Sequence, residues 1–163
     1  MIRDAKFSND GKYRFYLSRI WDDSLNKVCY ICLNPSIADE NKDDKTVTML
    51  INITKNNNCG GFFILNLSDY ILTNEFEQFA LTDEFERIPR PQNPYIDPII
   101  VQSDILCFAY GNVKLKILER FQKRLEFLKM LNQEKYCLGL NKNGSPKHPS
   151  RLSNNTVLQL FKI

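Results

Sequence analysis

Four short apolar runs set the pattern of this chain: Val28 to Leu33, Phe62 to Leu65, Asp104 to Tyr110 and Tyr136 to Leu140. Each is too short for a buried helix and nearly unbroken by polar residues, as expected of a strand covered on both faces. Between the first two, Val47, Met49, Leu50 and Ile53 recur at helical spacing. Asp43 and Asp44 stand where an N-cap is wanted, and the stripe ends in the polar stretch Lys55 to Asn58 ahead of Gly60-Gly61. Strand, helix, strand in this order implies a parallel pair with a right-handed crossover.

The flanks follow the same logic. Asn9-Asp10-Gly11 is a turn signal before the aromatic and branched run Tyr13 to Trp21, which predicts an N-terminal strand. From Ser68 to Asp97 breakers interrupt short pieces such as Glu75 to Phe79 and Asp83 to Arg87, and Asp97-Pro98 has the form of an N-cap and first helical residue. Leu115, Leu118, Leu125 and Leu128 predict one helix from about Val113 to Leu131, with a lysine- and arginine-rich solvent face. Asn154 to Phe161 predicts a C-terminal helix. The expected fold is a single α/β domain over residues 1–163, a three-layer α/β/α arrangement. Its central, mainly parallel sheet has about four strands, and an antiparallel extension precedes it.

Composition narrows the class without naming a reaction. The 163 residues suit one core, and 43% hydrophobic with 25% charged residues is a globular balance. A net charge of +3 permits nucleic-acid binding and does not demand it. No stretch has the roughly 18 apolar residues of a membrane span, and Met1 to Asp4 opens into charge, so a cytoplasmic, monomeric protein is expected. Of five cysteines, four lie within the apolar runs and read as reduced core thiols. Cys29 and Cys32, three apart on a strand, point to opposite faces, so neither a metal site nor a cofactor is expected.

Candidate chemistry collects where the predicted parallel strands end: Asn34, Asn66, Tyr110-Gly111-Asn112, and the loop that holds His148, the only histidine. In open α/β sheets that edge binds ligands. Each has a plainer reading, since Asn34-Pro35 also starts turns, Asn66 also ends a strand, and His148 also fits an ordinary loop.

Taken in order, Cys32-Leu33-Asn34-Pro35-Ser36, Phe63-Ile64-Leu65-Asn66, Ala109-Tyr110-Gly111-Asn112 and His148-Pro149-Ser150-Arg151-Leu152-Ser153 resemble the motif series of the uracil-DNA glycosylase superfamily. Over most of its length the chain also resembles the family called domain of unknown function 1643, through Tyr13-Arg14, Arg19, Trp21, Leu33 to Ser36, Ala38-Asp39, Asp44, Thr46, Asn66-Leu67, Gly111, Cys137 to Gly139, Gly144 and His148-Pro149. The second resemblance is the more specific and names no reaction; the first supplies the chemistry.

The glycosylase resemblance implies a uracil-DNA glycosylase-like fold and a flipped base. His148 would donate to the base oxygen as charge develops there, and Asn34 would orient the attacking water. Asp39, or else Asp43 or Asp44, would replace the carboxylate that an Asn at position 34 lacks, although capping is an equal reading for the latter two. Asn66 would read the pyrimidine edge, Ser150 and Arg151 would contact phosphates, and Leu152 would fill the space left by the base if exposed, or join the core if buried. Tyr70, Tyr95 and Tyr110 compete as the stacking aromatic. Ser36, where uracil-specific relatives carry Tyr, leaves room for a substituent at carbon 5, so hydroxymethylated or glucosylated cytosine of phage DNA joins thymine and damaged bases as expected substrates, with a role in antiviral defence as a consequence. No lysine in the motifs could form a Schiff base, which implies a monofunctional enzyme. Cys32 in place of a glycine, and the insertion Asn141 to Lys147 ahead of His148, depart from the series. A non-catalytic module that binds a nucleotide or a modified base, and an enzyme acting on free nucleotides, are the alternatives.

Overall fold

The computed structural model describes residues 1–163 and contains one seven-stranded mixed sheet. The strands are β1 (Ile2–Phe7), β2 (Arg14–Ile20), β3 (Lys27–Cys32), β4 (Gly61–Asn66), β5 (Ile105–Phe108), β6 (Glu134–Cys137) and β7 (Gln159–Leu160), in spatial order β1-β2-β4-β3-β5-β6-β7. β4, β3, β5 and β6 are mutually parallel, the four strands that the apolar runs predict. β1, β2 and β7 add antiparallel edges, so the sheet is larger than expected.

Alternation along the central strands builds two cores. Val28, Tyr30 and Cys32 of β3, with Phe62, Ile64 and Cys107, pack under Val47, Leu50 and Ile53 of α1 (Lys45–Asn56). Cys29, Ile31, Phe63, Leu65, Leu106 and Phe108 face the opposite way. They are covered by α2 (Phe76–Ala80), α3 (Asp83–Arg87), α4 (Ile96–Val101), α5 (Leu115–Arg120) and α6 (Gln122–Met130). Cys29 and Cys32 thus lie on opposite faces, and all five cysteines are free and buried.

From β3 the chain crosses by α1 to β4 on one side; from β5 it crosses by α5 and α6 to β6 on the other. The strand order therefore reverses between β3 and β5, and their carboxyl ends flank a crevice of the kind where α/β sheets bind ligands.

Several expectations are corrected. The helix over Val113–Leu131 is two helices broken at Phe121, whose ring is buried against Phe76 and Phe85 and whose backbone (φ −110°, ψ 12°) leaves the helical region. Residues 154–161 form no helix. Gln159 and Leu160 pair antiparallel with Tyr136 and Cys137, so the open edge of β6 outcompetes a weak helical period. β6 starts at Glu134 rather than Tyr136 and ends before Gly139 (φ +99°). The short helix around Asp97-Pro98 begins two residues earlier, at Ile96, with Tyr95 at its N-cap. No helix is long and apolar enough to cross a membrane.

Candidate active site

The residues that end the parallel strands converge. Asn34 follows β3, Asn66 closes β4, Gly111 follows β5, and His148 arrives from beyond β6 on a short turn, Pro149–Arg151. Asn34 and His148 are shared by two adjoining clefts. One, of about 400 Å³, is also lined by Arg14, Ser36, Asp44 and Asn66 over an apolar floor that includes Cys32, Val47 and Ile64. The other, of about 570 Å³, is lined by Tyr110, Gly111 and Asn112 with Ser150, Arg151 and Leu152.

His148 is fixed from its Nδ1 side. Nδ1 accepts the backbone N–H of Ser150 at 3.2 Å and lies 2.9 Å from Ser150 Oγ. A nitrogen that accepts an N–H carries no proton, so the neutral ring holds its proton on Nε2, free to donate. Burial pushes the imidazole below its ordinary value of 6.5; the charge of Asp44 works against this and Arg151 with it. Near pH 7 His148 is therefore a neutral Nε2–H donor. Gly111 (φ +86°) makes the approach feasible: a Cβ there would sit 3.2 Å from His148 Cβ. The insertion 141–147 closes on itself, with Lys147 N–H donating to Gly139 and Asn141 N–H to Ser145. It returns His148 to the strand ends instead of carrying it away.

Asn66 is 1% exposed, and neither its Oδ1 nor its Nδ2 has a protein partner. Its backbone carbonyl accepts from Arg124 Nη1 at 2.9 Å, so the residue is held while its amide is left open. Buried amides without partners are rare and costly. Arg14, 3% exposed, is the second such group: Nη1 donates to the Ala38 carbonyl at 2.9 Å, Nε has no partner, and no carboxylate lies within ion-pair distance. Burial lowers its guanidinium to about 10, with Asp44 opposing, so it stays charged at neutral pH. Asn34 spends Nδ2 on the carbonyls of Leu72 (2.7 Å) and Pro35 (3.0 Å), which pins the β3 turn to the 67–73 loop and leaves Oδ1 as its free function.

Other expected residues are placed differently. The Asp39 carboxylate accepts the backbone N–H groups of Asn41 and Lys42, both at 2.7 Å, and these bonds hold its pKa down. It closes a turn and does not line the cavity. Asp44 does line it, while capping α1 through Val47 N–H at 2.8 Å. Ser36 reaches the wall beside Thr73. Tyr110 is in the adjoining cleft, burial raising its phenol; Tyr70 packs on Tyr13, Phe79 and Phe85, and Tyr95 on Phe15 and Tyr16. No phenylalanine, tyrosine or tryptophan lines the cavity that holds Asn66. Ser150 is committed to His148, Arg151 is exposed, and Leu152 is half-buried against the α1-side core, so it offers only part of its side chain as a wedge. The Cys32 thiol, pushed up to about 12 by burial, is no nucleophile. Lys45 stands exposed at the rim.

Arg14 as a wall of the site was missed by sequence reasoning. Its signal is an arginine at the start of the aromatic and branched run that predicts the N-terminal strand.

Comparison with known proteins returns no matching curated protein and no matching solved structure. A family model does match, over residues 14–150, a span that runs from Arg14 to Ser150 and so takes in every wall of the cavity just described. On that match the chain belongs to the DUF1643 family, described as a protein family of unknown function.

Proposed function

We propose that this protein is a monofunctional DNA glycosylase of uracil-DNA glycosylase-like architecture, hydrolysing the N-glycosidic bond of a 5-substituted pyrimidine and leaving an abasic site. The observation that carries the reading is Asn66: a fully buried amide with both its donor and its acceptor unused, facing a cavity that also contains a neutral histidine donor. A donor beside an acceptor is what a pyrimidine edge requires.

The other walls take roles by position. His148 Nε2–H stabilises negative charge on the base oxygen, at no cost of reorganisation because Ser150 already holds the ring. Asn34 Oδ1 accepts a hydrogen bond from the attacking water and orients it, while the water's proton goes to solvent. Asp44, rather than Asp39, is the carboxylate available to the sugar cation. Ser36 leaves the space at carbon 5 that hydroxymethylated or glucosylated cytosine would occupy.

Abasic-site formation in matched duplexes and single strands containing cytosine, uracil, mismatched thymine, hydroxymethylcytosine or glucosylated hydroxymethylcytosine tests this, run at two salt concentrations. Excision from a 5-substituted substrate, weakening with salt as phosphate contacts require, supports it. One observation favours a non-catalytic module: the Asn34 amide nitrogen is spent on backbone carbonyls, as a turn residue's would be. Tight binding of modified DNA without excision would select that reading.

A further inference from the structure

A further cavity, of about 430 Å³, lies on the sheet face opposite α1 and shares no residue with the two clefts at the strand ends. That is the size of a small-molecule pocket. Four of its walls are aromatic. Tyr13 and Tyr70, Tyr70 and Phe85, and Phe85 and Phe121 meet edge to face, with ring centroids 5.6, 6.4 and 6.0 Å apart. The Tyr13 hydroxyl donates to the Pro89 carbonyl, which holds the segment carrying Arg90 beside the cavity. The Arg90 guanidinium lies over Phe85, 4.6 Å from the ring centroid. Guanidinium planes and aromatic rings are the surfaces on which nucleobases stack.

The same cavity gathers positive charge. Arg90, Arg120, Lys123 and Arg124 line it, against the carboxylates of Asp69 and Glu119. Asp69 is already spent: Oδ2 accepts from Arg124 at 3.0 Å and Oδ1 from Asn93 at 3.2 Å. Arg120 stands 2.8 Å from Glu86, yet its Nη1 is buried and no acceptor is aligned with it as a hydrogen bond requires. Arg90 and Lys123 are exposed and have no carboxylate within ion-pair distance. No side-chain amide lines this cavity, in contrast to the cleft that holds Asn66, so stacking and a phosphate would carry the affinity. We propose that the cavity binds a free nucleoside monophosphate, its base against the aromatic walls and its phosphate at Arg90, Arg120 and Lys123. This site is separate from the one on which the proposed function rests and does not depend on it.

The test is calorimetric titration of the full chain with AMP, adenosine and inorganic phosphate. AMP binds at least about tenfold more tightly than either fragment, the margin that one charge-assisted hydrogen bond or one stacked base supplies. UMP binds within about tenfold of AMP, because stacking accepts any base. Arg90→Gln combined with Lys123→Gln, both at exposed positions, weakens AMP by at least about tenfold and leaves adenosine as in wild type. The backbone amide shifts that AMP induces centre on Tyr70, Phe85 and Phe121. Should the double variant not fold, the ranking of AMP over its fragments and the location of the shifts still decide. Absence of AMP binding, adenosine or phosphate bound as tightly as AMP, an unaltered affinity in the folded double variant, or shifts centred on Asn34 and His148 overturns the proposal. A 5′-phosphorylated trinucleotide that binds more tightly than AMP overturns the assignment to a free nucleotide. Excision of a base from DNA, or its absence, bears on the proposed function alone.

Discussion

Arg14 and Arg19 lie five residues apart on the same strand and are both buried, at 3% and 0% exposure, yet their surroundings differ completely. Arg19 donates to Asp43 through Nε and Nη2 at 2.9 and 2.7 Å, and to the carbonyls of Ser18 and Asp39, while Arg3 also pairs with Asp43. That corner is closed: it ties β1, β2 and the 39–43 turn together. Arg14 has one carbonyl and an open cavity. A buried charge with every nitrogen engaged is there for the fold. One left short beside an equally unpaired Asn66 is the feature on which the proposed function rests.

The largest effect should separate the two arginines by stability. Arg19→Met strips the buried partner from Asp43 and should cost about 3 kcal/mol in urea unfolding, whereas Arg14→Met, which removes an underpaired charge, should stay within about 1 kcal/mol of wild type. Equal losses would erase the distinction. Next comes Gly111→Ala, expected to cost about 1–2 kcal/mol, because alanine resists φ +86° and its methyl would press on His148. That cost should appear together with lost function. Asn66→Ala sharpens the comparison from the other side: deleting two unsatisfied buried atoms should change stability by less than about 1 kcal/mol while abolishing ligand binding.

The smallest effect is a titration. His148 is the only histidine, so its ring protons give a single NMR curve whose midpoint in the folded protein should lie below 6.5. Since the folded pKa is depressed, its contribution to stability is fully present above pH 6.5 and is lost as pH falls through the folded value, the unfolded chain taking up the proton first. Asp44→Asn removes the charge that works against the depression and should move the midpoint lower still. A midpoint at or above 6.5 would mean the ring is not held as described.

Much of this was legible in the chain. The four parallel strands were, because runs such as Val28 to Leu33 are covered on both faces and can be little else. So was the convergence of Asn34, Asn66, Gly111 and His148, because strand ends in a parallel sheet share one edge. Less local features were not. β1, half exposed and carrying Arg3, Asp4 and Lys6, has no strand-like alternation and is made by pairing with β2. β7 exists to cover an edge. Sequence marks Asp44 as a cap candidate and Asp39 as the carboxylate to replace the one missing at position 34, and only the turn that consumes the Asp39 carboxylate reverses that choice. Arg14 and Arg19 likewise differ only in where Asp43 lies.

The most direct test of the central claim is single-turnover release of base from DNA containing a 5-substituted pyrimidine, comparing wild type with His148→Ala. The account predicts release by wild type, slowed by about 100-fold or more in the variant because the lost interaction belongs to the transition state, with DNA affinity changed only a few-fold. Folded wild type that releases no base, or a His148→Ala variant that releases it at the wild-type rate, would contradict it.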